Sequence, residues 1–548
     1  MSSKDQNMGY RHPFLFGIHY LGGVGDAPRT LVDLAMSQLS AEIRRSDNWW
    51  QARLLKDFRS HWTDEGLARI WRVKTPSSVV DVKLSTRQVD YVLDELDGYA
   101  TLRDEHTRCQ VSVFDRIWQA ETLLDNEKTS ALIQGITHLR LSTKSDSEDV
   151  TVNLIDPTLH SLVFNRSLVS QLNGRRFRPV PPPPKTDIYT LSSRFQLLPT
   201  DIFIRIDGTT KFLSYINNLH PQHHRTTYDL LQQLFDGFVP LFENALTDLH
   251  RNNPMYHRIP GPSRYTVWNE PEAPEHSDDD EGWIEYEREM REWALKRPIN
   301  LPDVQTSGYS GNLHKRRHIV KLRNRVVQVI TRVMDIRLTP DRPAFEGNKW
   351  HVEGMRGERI VACGFHCLSM DNISNPKLDF RMAVSYPRGF SAGDNGATMR
   401  TWGMRDGDSC HQYIGQVPTH EGLSLVFPNI YQHRQSGFKL DDPTKDGYLT
   451  AIWFLFVDPD IQPTISTSLV APQQRGWIHE ALDIHLDKRL PNEVLEAISD
   501  HTEGLMTRQE AFDYRDILLR ELDSFTAASN SYHFCIPFDI WNGPELVP

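Results

Sequence analysis

The chain has 548 residues, of which 39% are hydrophobic, 10% aromatic and 24% charged, a composition typical of a globular protein rather than a disordered or fibrous one. Its formal net charge is −11, from 61 basic and 72 acidic residues, which argues against a nucleic-acid partner because a phosphate-binding surface needs a basic face. No apolar run reaches the ~20 residues of a membrane span, and the five cysteines are too sparse for a disulfide framework, so we expect a cytoplasmic protein with no membrane partner.

The N-terminal region, residues 1–172, is predicted to be mainly helical. The apolar residues of Thr86–Leu96 recur at i, i+3, i+4 and i+7, and those of Phe114–Trp118 repeat part of that spacing. A middle α+β segment, residues 173–310, follows. Its four consecutive prolines, Pro181–Pro184, predict a linker or an extended strap, because proline cannot continue a helix.

Two further features of the middle segment stand out. Tyr228–Leu249 has a helical apolar face. Residues 269–290 form an acidic insertion in which Asp278–Glu281 repel one another and bury nothing, so we expect this stretch to be solvated and partly disordered.

After Gly311 the apolar period changes from 3.6 to 2. Short β-branched or aromatic runs separated by turn residues predict a β-sandwich or jelly-roll domain over residues 311–475; the runs are Arg325–Leu338, Arg359–Leu368, Leu378–Tyr386, Leu423–Phe427 and Tyr448–Val457. Residues 476–548 return to a helical pattern. The expected fold class is therefore α+β, with a large helical N-terminal region ahead of a β domain.

The motif with the clearest chemistry is Trp350-His-Val-Glu-Gly354. On a strand, residues i and i+2 point to the same face, so His351 and Glu353 would present an imidazole and a carboxylate together. His433, on a later predicted strand, would add a second imidazole. Two histidines and one carboxylate form the facial triad of non-haem Fe(II) oxygenases, which leaves coordination positions open.

The His-x-Asp/Glu triplet alone carries no information, because 23 histidines and 72 acidic residues produce several by chance. Those at His276, His485 and His501 lie in the acidic insertion or near helices, whereas His351 lies among predicted strands. A His220-Pro-Gln-His-His224 cluster and Cys363-Gly-Phe-His-Cys367 are weaker metal candidates; a packed loop and small buried sheet residues explain them better.

Several longer segments resemble a fungal family of unknown function across roughly Leu31 to Arg520; they are SYINNLHP (Ser214–Pro221), WHVEG (Trp350–Gly354), FPNIYQHR (Phe427–Arg434), DDPTKDG (Asp441–Gly447), FLFVDP (Phe454–Pro459) and STSLVAPQQ (Ser466–Gln474). The C-terminal half of that family looks like the double-stranded β-helix of the Fe(II)/2-oxoglutarate oxygenases. The resemblance implies that His351, Glu353 and His433 are iron ligands, that 2-oxoglutarate is a cosubstrate, and that the partners are O2 and a small-molecule substrate.

The chain departs from this family at one position. Where the arginine that pairs with 2-oxoglutarate is expected after DDPTKDG, the sequence has Leu449, and leucine cannot pair with a carboxylate. Arg381 is a possible substitute; Arg434 should face away from His433. Alternatives therefore stay open: an iron oxidase independent of 2-oxoglutarate, a non-catalytic metal- or ligand-binding descendant, or a cupin-like enzyme using zinc or manganese.

Overall fold

The computed structural model describes residues 9–13, 25–142, 150–170, 176–184, 190–259, 264–265, 270–276, 278–485, 490–532, 534 and 536–542. The helices are α1 (Leu31–Ile43), α2 (Trp49–Ala52), α3 (Lys56–Ala68), α4 (Thr86–Leu102), α5 (Asn126–Ser142), α6 (Arg225–Leu249), α7 (Asp280–Lys296), α8 (Asn395–Trp402), α9 (Arg475–His485), α10 (Asn492–His501) and α11 (Arg508–Tyr532), with a 3-10 turn at Ile540–Asn542.

The strands ahead of residue 311 are short, and those after it are long. They are β1 (Trp71–Lys74), β2 (Val79–Val82), β3 (Gln110–Val111), β4 (Trp118–Glu121), β5 (Thr151–Ile155), β6 (Leu162–Val163), β7 (Leu168–Ser170), β8 (Phe177–Pro179), β9 (Phe195–Gln196), β10 (Thr200–Ile204), β11 (Thr210–Phe212), β12 (Arg264–Tyr265), β13 (Ile299–Asn300), β14 (Arg325–Leu338), β15 (Ala344–Gly347), β16 (Ile360–Asp371), β17 (Lys377–Ala383), β18 (His411–Pro418), β19 (Leu423–Pro428), β20 (Tyr431–Lys439) and β21 (Gly447–Val457).

Two antiparallel sheets carry the C-terminal half. The larger has nine strands, ordered β11-β10-β14-β21-β16-β19-β4-β3 with β5 paired to β14, and the smaller has four, ordered β15-β20-β17-β18. Phe427 of the larger sheet meets Phe380 of the smaller one, with ring centroids 4.9 Å apart. The period-2 runs predicted after Gly311 are thus confirmed as strands, and the fold is mixed, with helices and antiparallel sheets.

The helical prediction for Phe114–Trp118 is wrong. Trp118–Glu121 forms β4, which pairs with β19 at one side of the larger sheet. Trp118 and Ala120 are buried while Gln119 and Glu121 are not, so a period of two decides this segment. The N-terminal region therefore supplies strands as well as helices to the fold.

Helix α6 packs on the outer face of the larger sheet, as its predicted apolar side indicates. The rings of Phe235 and Phe238 each lie 5.2 Å from that of Phe454 on β21. A Cβ at Gly364 of β16 would lie 2.9 Å from the Phe238 ring, so only glycine lets the helix approach this closely. The opposite face of β16 and β21 is thereby left for the site described below.

A buried ionic network joins the N-terminal helices. Arg258 donates to Glu95 of α4 through Nε and Nη2, both at 2.8 Å, and to Asp33 of α1 at 2.9 Å. Arg29 donates to Asp33 at 3.0 Å and to Asp115 at 2.9 Å. Buried charges of this kind are tolerated only when paired, so the network fixes how α1 and α4 pack together.

The acidic insertion is solvated, as predicted, but part of it is helical. α7 covers residues 280–296, and none of its residues is buried. Pairs such as Arg291 with Glu287 and Lys296 with Glu292 lie at i, i+4 spacing along it. Local pairing of this kind supports a helix without a buried face. Residues 269 and 277 of the insertion lie outside the described residues.

In the described part of the chain, no helix is both long and apolar enough to cross a bilayer.

Candidate metal centre

His351 and His433 face each other across an antiparallel backbone bridge. The N–H of His351 donates to the carbonyl of His433 at 3.2 Å, and that of His433 donates back at 3.0 Å. Side chains directly opposite in such a pair lie on the same face of the sheet. The two imidazole centroids are accordingly 4.5 Å apart.

Glu353 reaches the same point from two residues further along. Its Oε1 lies 3.7 Å from Nε2 of His351 and 3.6 Å from Nε2 of His433. One ligand atom from each of the three residues lies within 4.8 Å of the others, a spacing that could hold a metal ion. The sequence-predicted residues are thus brought together by the fold.

Both histidines are prepared to act as ligands. Nδ1 of His351 lies 2.8 Å from the carbonyl oxygen of Lys349, which can only accept, so in the neutral ring the proton is on Nδ1 and the lone pair is on Nε2. His433 is 1% exposed. Burial, together with the nearby His351, lowers its pKa to about 4, which keeps it neutral.

The His433 ring also has no hydrogen-bond partner among the described residues, at Nδ1 or at Nε2. A buried polar atom without a partner is unfavourable and is rare in folded proteins. A metal ion at the three-residue cluster would satisfy Nε2. Two imidazoles and a carboxylate match the ligand preference of divalent iron, so the residues fit the group that the sequence implies.

Two residues that the sequence reasoning missed hold Glu353 in place. Arg332 of β14 pairs with both carboxylate oxygens, at 2.6 Å to Oε1 and 3.2 Å to Oε2. Burial alone would raise the pKa of Glu353, but the Arg332 guanidinium and the two imidazoles hold it well below the usual range. Asn429, which is fully buried, binds the Glu353 backbone on both sides, accepting from its N–H and donating to its carbonyl, each at 2.9 Å.

A signal for Arg332 exists in the sequence, because it is, with Asp335, one of two charged residues in the interior of a β-branched strand whose residues are mostly buried. Asn429 gives no such signal, since it lies in the turn between β19 and β20, where asparagine is common.

A cavity of 180 Å³ lies beside the cluster. Its lining comes from both sheets, with β5 of the larger sheet included, and from the segment between β15 and β16. The residues are Thr151, Asn153, Arg332, Met334, Ile336, Asn348, His351, Phe365, His433, Gln435, Leu449, Ala451 and Trp453. Pockets for drug-sized ligands typically measure about 300–1,000 Å³, so this one suits a small molecule.

The fold does not bring Arg381 to this cavity. In the pairing of β17 with β20, Phe380 lies opposite His433, and Arg381 lies opposite Gln432. Alternate residues point to opposite faces, so Arg381 faces away from the cluster, where its guanidinium lies 4.7 Å from the Trp350 ring. Arg434 lies on that side too, 4.6 Å from the same ring, as the sequence indicated.

A second group, His220, His223 and Glu480, also has metal-like spacing. Nδ1 of His220, however, accepts from the backbone N–H groups of Gln222 and His223, at 3.3 and 3.2 Å. Its proton is therefore on Nε2, and neither ring nitrogen offers a free lone pair. Of the two clusters, the one at His351 is better suited to a metal.

In the Cys363–Cys367 segment, Cys363 and Cys367 are buried, and Nδ1 of His366 lies 2.9 Å from the hydroxyl of Ser424.

Fold and site together define a protein of mixed helices and antiparallel sheets with a two-histidine, one-carboxylate cluster beside a small cavity. The chain belongs to the family described as "Protein of unknown function (DUF4246)", which matches residues 86–481. No curated protein sequence matches it.

Solved structures that resemble the chain include IDO from Bacillus thuringiensis, with 9% identity, a TM-score of 0.27 and coverage of 63% of this chain and 91% of that one. Another is the Fe(II)/(alpha)ketoglutarate-dependent dioxygenase TqaL, at 11% identity and a TM-score of 0.28, covering 69% and 94%. A third is AviO1 from Streptomyces viridochromogenes Tue57, at 13% identity and a TM-score of 0.23, covering 64% and 93%.

Proposed function

We propose that His351, Glu353 and His433 bind Fe(II) and that the chain is a non-haem iron oxygenase acting on an organic small molecule. The observation that carries this proposal is the unpartnered, buried His433 imidazole facing a carboxylate and a second imidazole at the wall of a cavity. Three protein ligands on one side leave the other coordination positions for a cosubstrate and O2.

The strand order supports the same proposal. Counted from β14, the eight strands β14 to β21 fall into two ladders, β14-β21-β16-β19 and β15-β20-β17-β18. This alternation of strands between two sheets is the arrangement expected of a double-stranded β-helix, a form of jelly roll. His351 follows the second of these strands, and His433 lies on the seventh.

The reaction we propose is hydroxylation of a C–H bond coupled to oxidative decarboxylation of a 2-oxo acid, for which the sequence resemblance implies 2-oxoglutarate. One oxygen atom of O2 enters the new hydroxyl group, and the other enters the carboxylate of the shortened acid, with release of CO2. Bound iron would supply the site at which O2 is reduced. Arg332 keeps Glu353 ionised and oriented, Lys349 fixes the His351 tautomer, and the aromatic rings around His433 exclude water.

The test is an anaerobic Fe(II) titration of the metal-free protein by calorimetry. We expect one high-affinity site per chain in the wild type and its loss in His351→Ala. His223→Ala is the matched control, because it removes a histidine from the other cluster and should leave that site intact. Equal iron binding by wild type and His351→Ala, or its loss in His223→Ala, would contradict the proposal.

Turnover is tested on the iron-loaded protein by following O2 uptake with a 2-oxo acid. Uptake that depends on both the acid and His351 supports the oxygenase. Iron binding without uptake would instead identify a metal-binding protein that does not activate O2.

A further inference from the structure

The cavity beside the metal centre has two chemically different ends. Pairing of β14 with β21 places Arg332 opposite Trp453, Met334 opposite Ala451 and Ile336 opposite Leu449. Four residues along a strand span about 13 Å, so the Leu449 level lies well away from the metal level at Trp453.

The metal end has hydrogen-bond donors to offer. Arg332 Nε and Trp453 Nε1 are buried and have no hydrogen-bond partner among the described residues. Both side chains line the cavity with His433, whose ring centroid lies 5.4 Å from that of Trp453. Unpartnered donors beside a cationic group suit an anionic head group, such as the carboxylate of a 2-oxo acid that chelates the metal.

The far end has no charge to offer. Ile336 and Leu449 are each 1% exposed, and Met334 is 8% exposed. Thr151 lies opposite Ile336, and the remaining polar lining residues, Asn153, Asn348 and Gln435, are neutral. Among the described residues that line the cavity, Arg332 is the one permanent cation. Each of its two terminal nitrogens donates a hydrogen bond to the Glu353 carboxylate.

We propose that this cavity binds a 2-oxo acid with an uncharged side chain in preference to 2-oxoglutarate. This inference rests on the proposed function. The 2-oxo carboxylate would lie at the Arg332 and Trp453 end, and the side chain would extend along Met334 towards Leu449. The second carboxylate of 2-oxoglutarate would be desolvated at the Leu449 end with no cation to pair with it, which is unfavourable.

The experiment uses the full chain loaded with Fe(II) under anaerobic conditions. The two probes are 2-oxo-4-methylpentanoate and 2-oxoglutarate, titrated separately, with the charge-transfer absorption of the chelated acid and calorimetry as readouts. We expect the monocarboxylate to bind the wild type roughly tenfold or more tightly than 2-oxoglutarate, since one unpaired buried charge is worth at least that factor.

Two substitutions test the role of Leu449. Leu449→Arg supplies the missing cation and should reverse the preference. Leu449→Met is the matched control, because it is flexible and uncharged and should leave the preference unchanged. If the arginine variant does not fold, the wild-type comparison still decides the question.

The outcomes separate this inference from the proposed function. Binding of 2-oxoglutarate to the wild type as tightly as 2-oxo-4-methylpentanoate would overturn the inference, as would Fe(II) binding with no association of either acid; in both cases the metal centre stands. Absence of Fe(II) binding itself would overturn the proposed function, and this inference with it.

Discussion

The side-chain amide of Asn429 holds the backbone of Glu353 from both sides. Its Oδ1 accepts from the Glu353 N–H, and its Nδ2 donates to the Glu353 carbonyl, each at 2.9 Å, with a further bond to the carbonyl of Ile360 at 3.0 Å. Asn429 belongs to the turn between β19 and β20, and His433 lies on β20. One residue thus holds the backbone of Glu353 next to the turn that leads into the strand of His433.

Asn429→Ala should therefore weaken metal binding without removing a ligand. We expect a 10- to 100-fold loss of Fe(II) affinity, the range typical of residues that orient metal ligands. The free energy of unfolding should also fall by about 2–4 kcal/mol, because buried backbone groups lose their partners. Calorimetric titration with Fe(II) and urea unfolding measure the two effects.

The matched control for that variant is Asn372→Ala. The Asn372 side chain also bonds several backbone groups, donating to the carbonyls of Asp442, Lys445 and Asp446, but it does so away from the cluster. It should lower stability and leave Fe(II) affinity unchanged. Equal affinity losses in the two variants would show that Asn429 acts only through general stability.

Arg332→Leu should destabilise the metal-free protein more than the metal-bound one. It leaves the buried Glu353 carboxylate without its guanidinium partner, for which we expect a loss of about 3 kcal/mol. A divalent cation at the cluster would replace the lost positive charge, so saturating Zn(II) should recover most of the stability. Urea unfolding with chelator and with Zn(II) gives the comparison.

Arg337→Leu provides the reference for this effect. Arg337 pairs with the buried Asp335, but Arg140 pairs with the same carboxylate at 2.7 Å, so no charge is left alone. The expected loss is about 1 kcal/mol or less, independent of metal. A metal-free Arg332→Leu protein as stable as Arg337→Leu would rule out the role assigned to Arg332.

The free energy of unfolding of the metal-free protein should decrease as the pH is lowered from neutral, in part because of His366. Burial lowers the pKa of His366 from 6.5 to about 4, so the folded state disfavours its charged form. A depressed histidine pKa means that the unfolded chain takes up the proton first, and stability is lost as pH falls from 6.5 towards 4. Between pH 7 and pH 5 the contribution of this group is about 2 kcal/mol.

His366→Asn isolates that contribution, because its amide can still bond Ser424 but does not titrate. The variant should be less stable at pH 7, and its loss of stability between pH 7 and pH 5 should be smaller than that of the wild type by about 2 kcal/mol. Urea unfolding at the two pH values, with chelator present, measures this difference. Parallel pH dependences would exclude His366 as a contributor.

Arg258→Met should be strongly destabilising because it leaves Glu95 buried and unpaired. Removing one partner of a buried pair typically costs about 3–5 kcal/mol. The double variant Arg258→Met, Glu95→Leu should recover part of the loss, since the unpaired charge is gone. Arg59→Ala is the control: its pairs with Asp90 and Asp94 are exposed, and the expected change is within about 1 kcal/mol. Thermal or urea unfolding of these three variants and the wild type measures the changes, and a double variant no more stable than Arg258→Met would contradict the pairing argument.

A local rule in the sequence predicted that two of the three residues of the cluster would lie together. His351 and Glu353 are two residues apart, and a period of two predicts that they share a face without any knowledge of the rest of the fold. In the structure they do converge, although the segment is not a regular strand: His351 forms an isolated bridge with His433 after β15, and Glu353 lies in the loop that follows. It likewise predicted the strands of the C-terminal half and the helix at Tyr228–Leu249, where long runs keep one period. It misassigned Phe114–Trp118, because so short a run fits either period; the structure has a turn before Trp118, and at Trp118 begins β4, which pairs with β19.

Which faces meet across strands is a different question, and only tertiary structure answers it. The side of the sheet on which Arg381 lies depends on the register of β17 against β20, and a shift of one residue would have turned it towards the cluster. The same reason explains why Arg332, 21 residues before Glu353, and Asn429, 76 residues after it, were not identified. By itself the sequence determined which side chains could bind a metal. The pairing of distant strands decided that Arg332 and Asn429 hold Glu353 in place, and that Leu449 and Ile336 line the far end of the cavity.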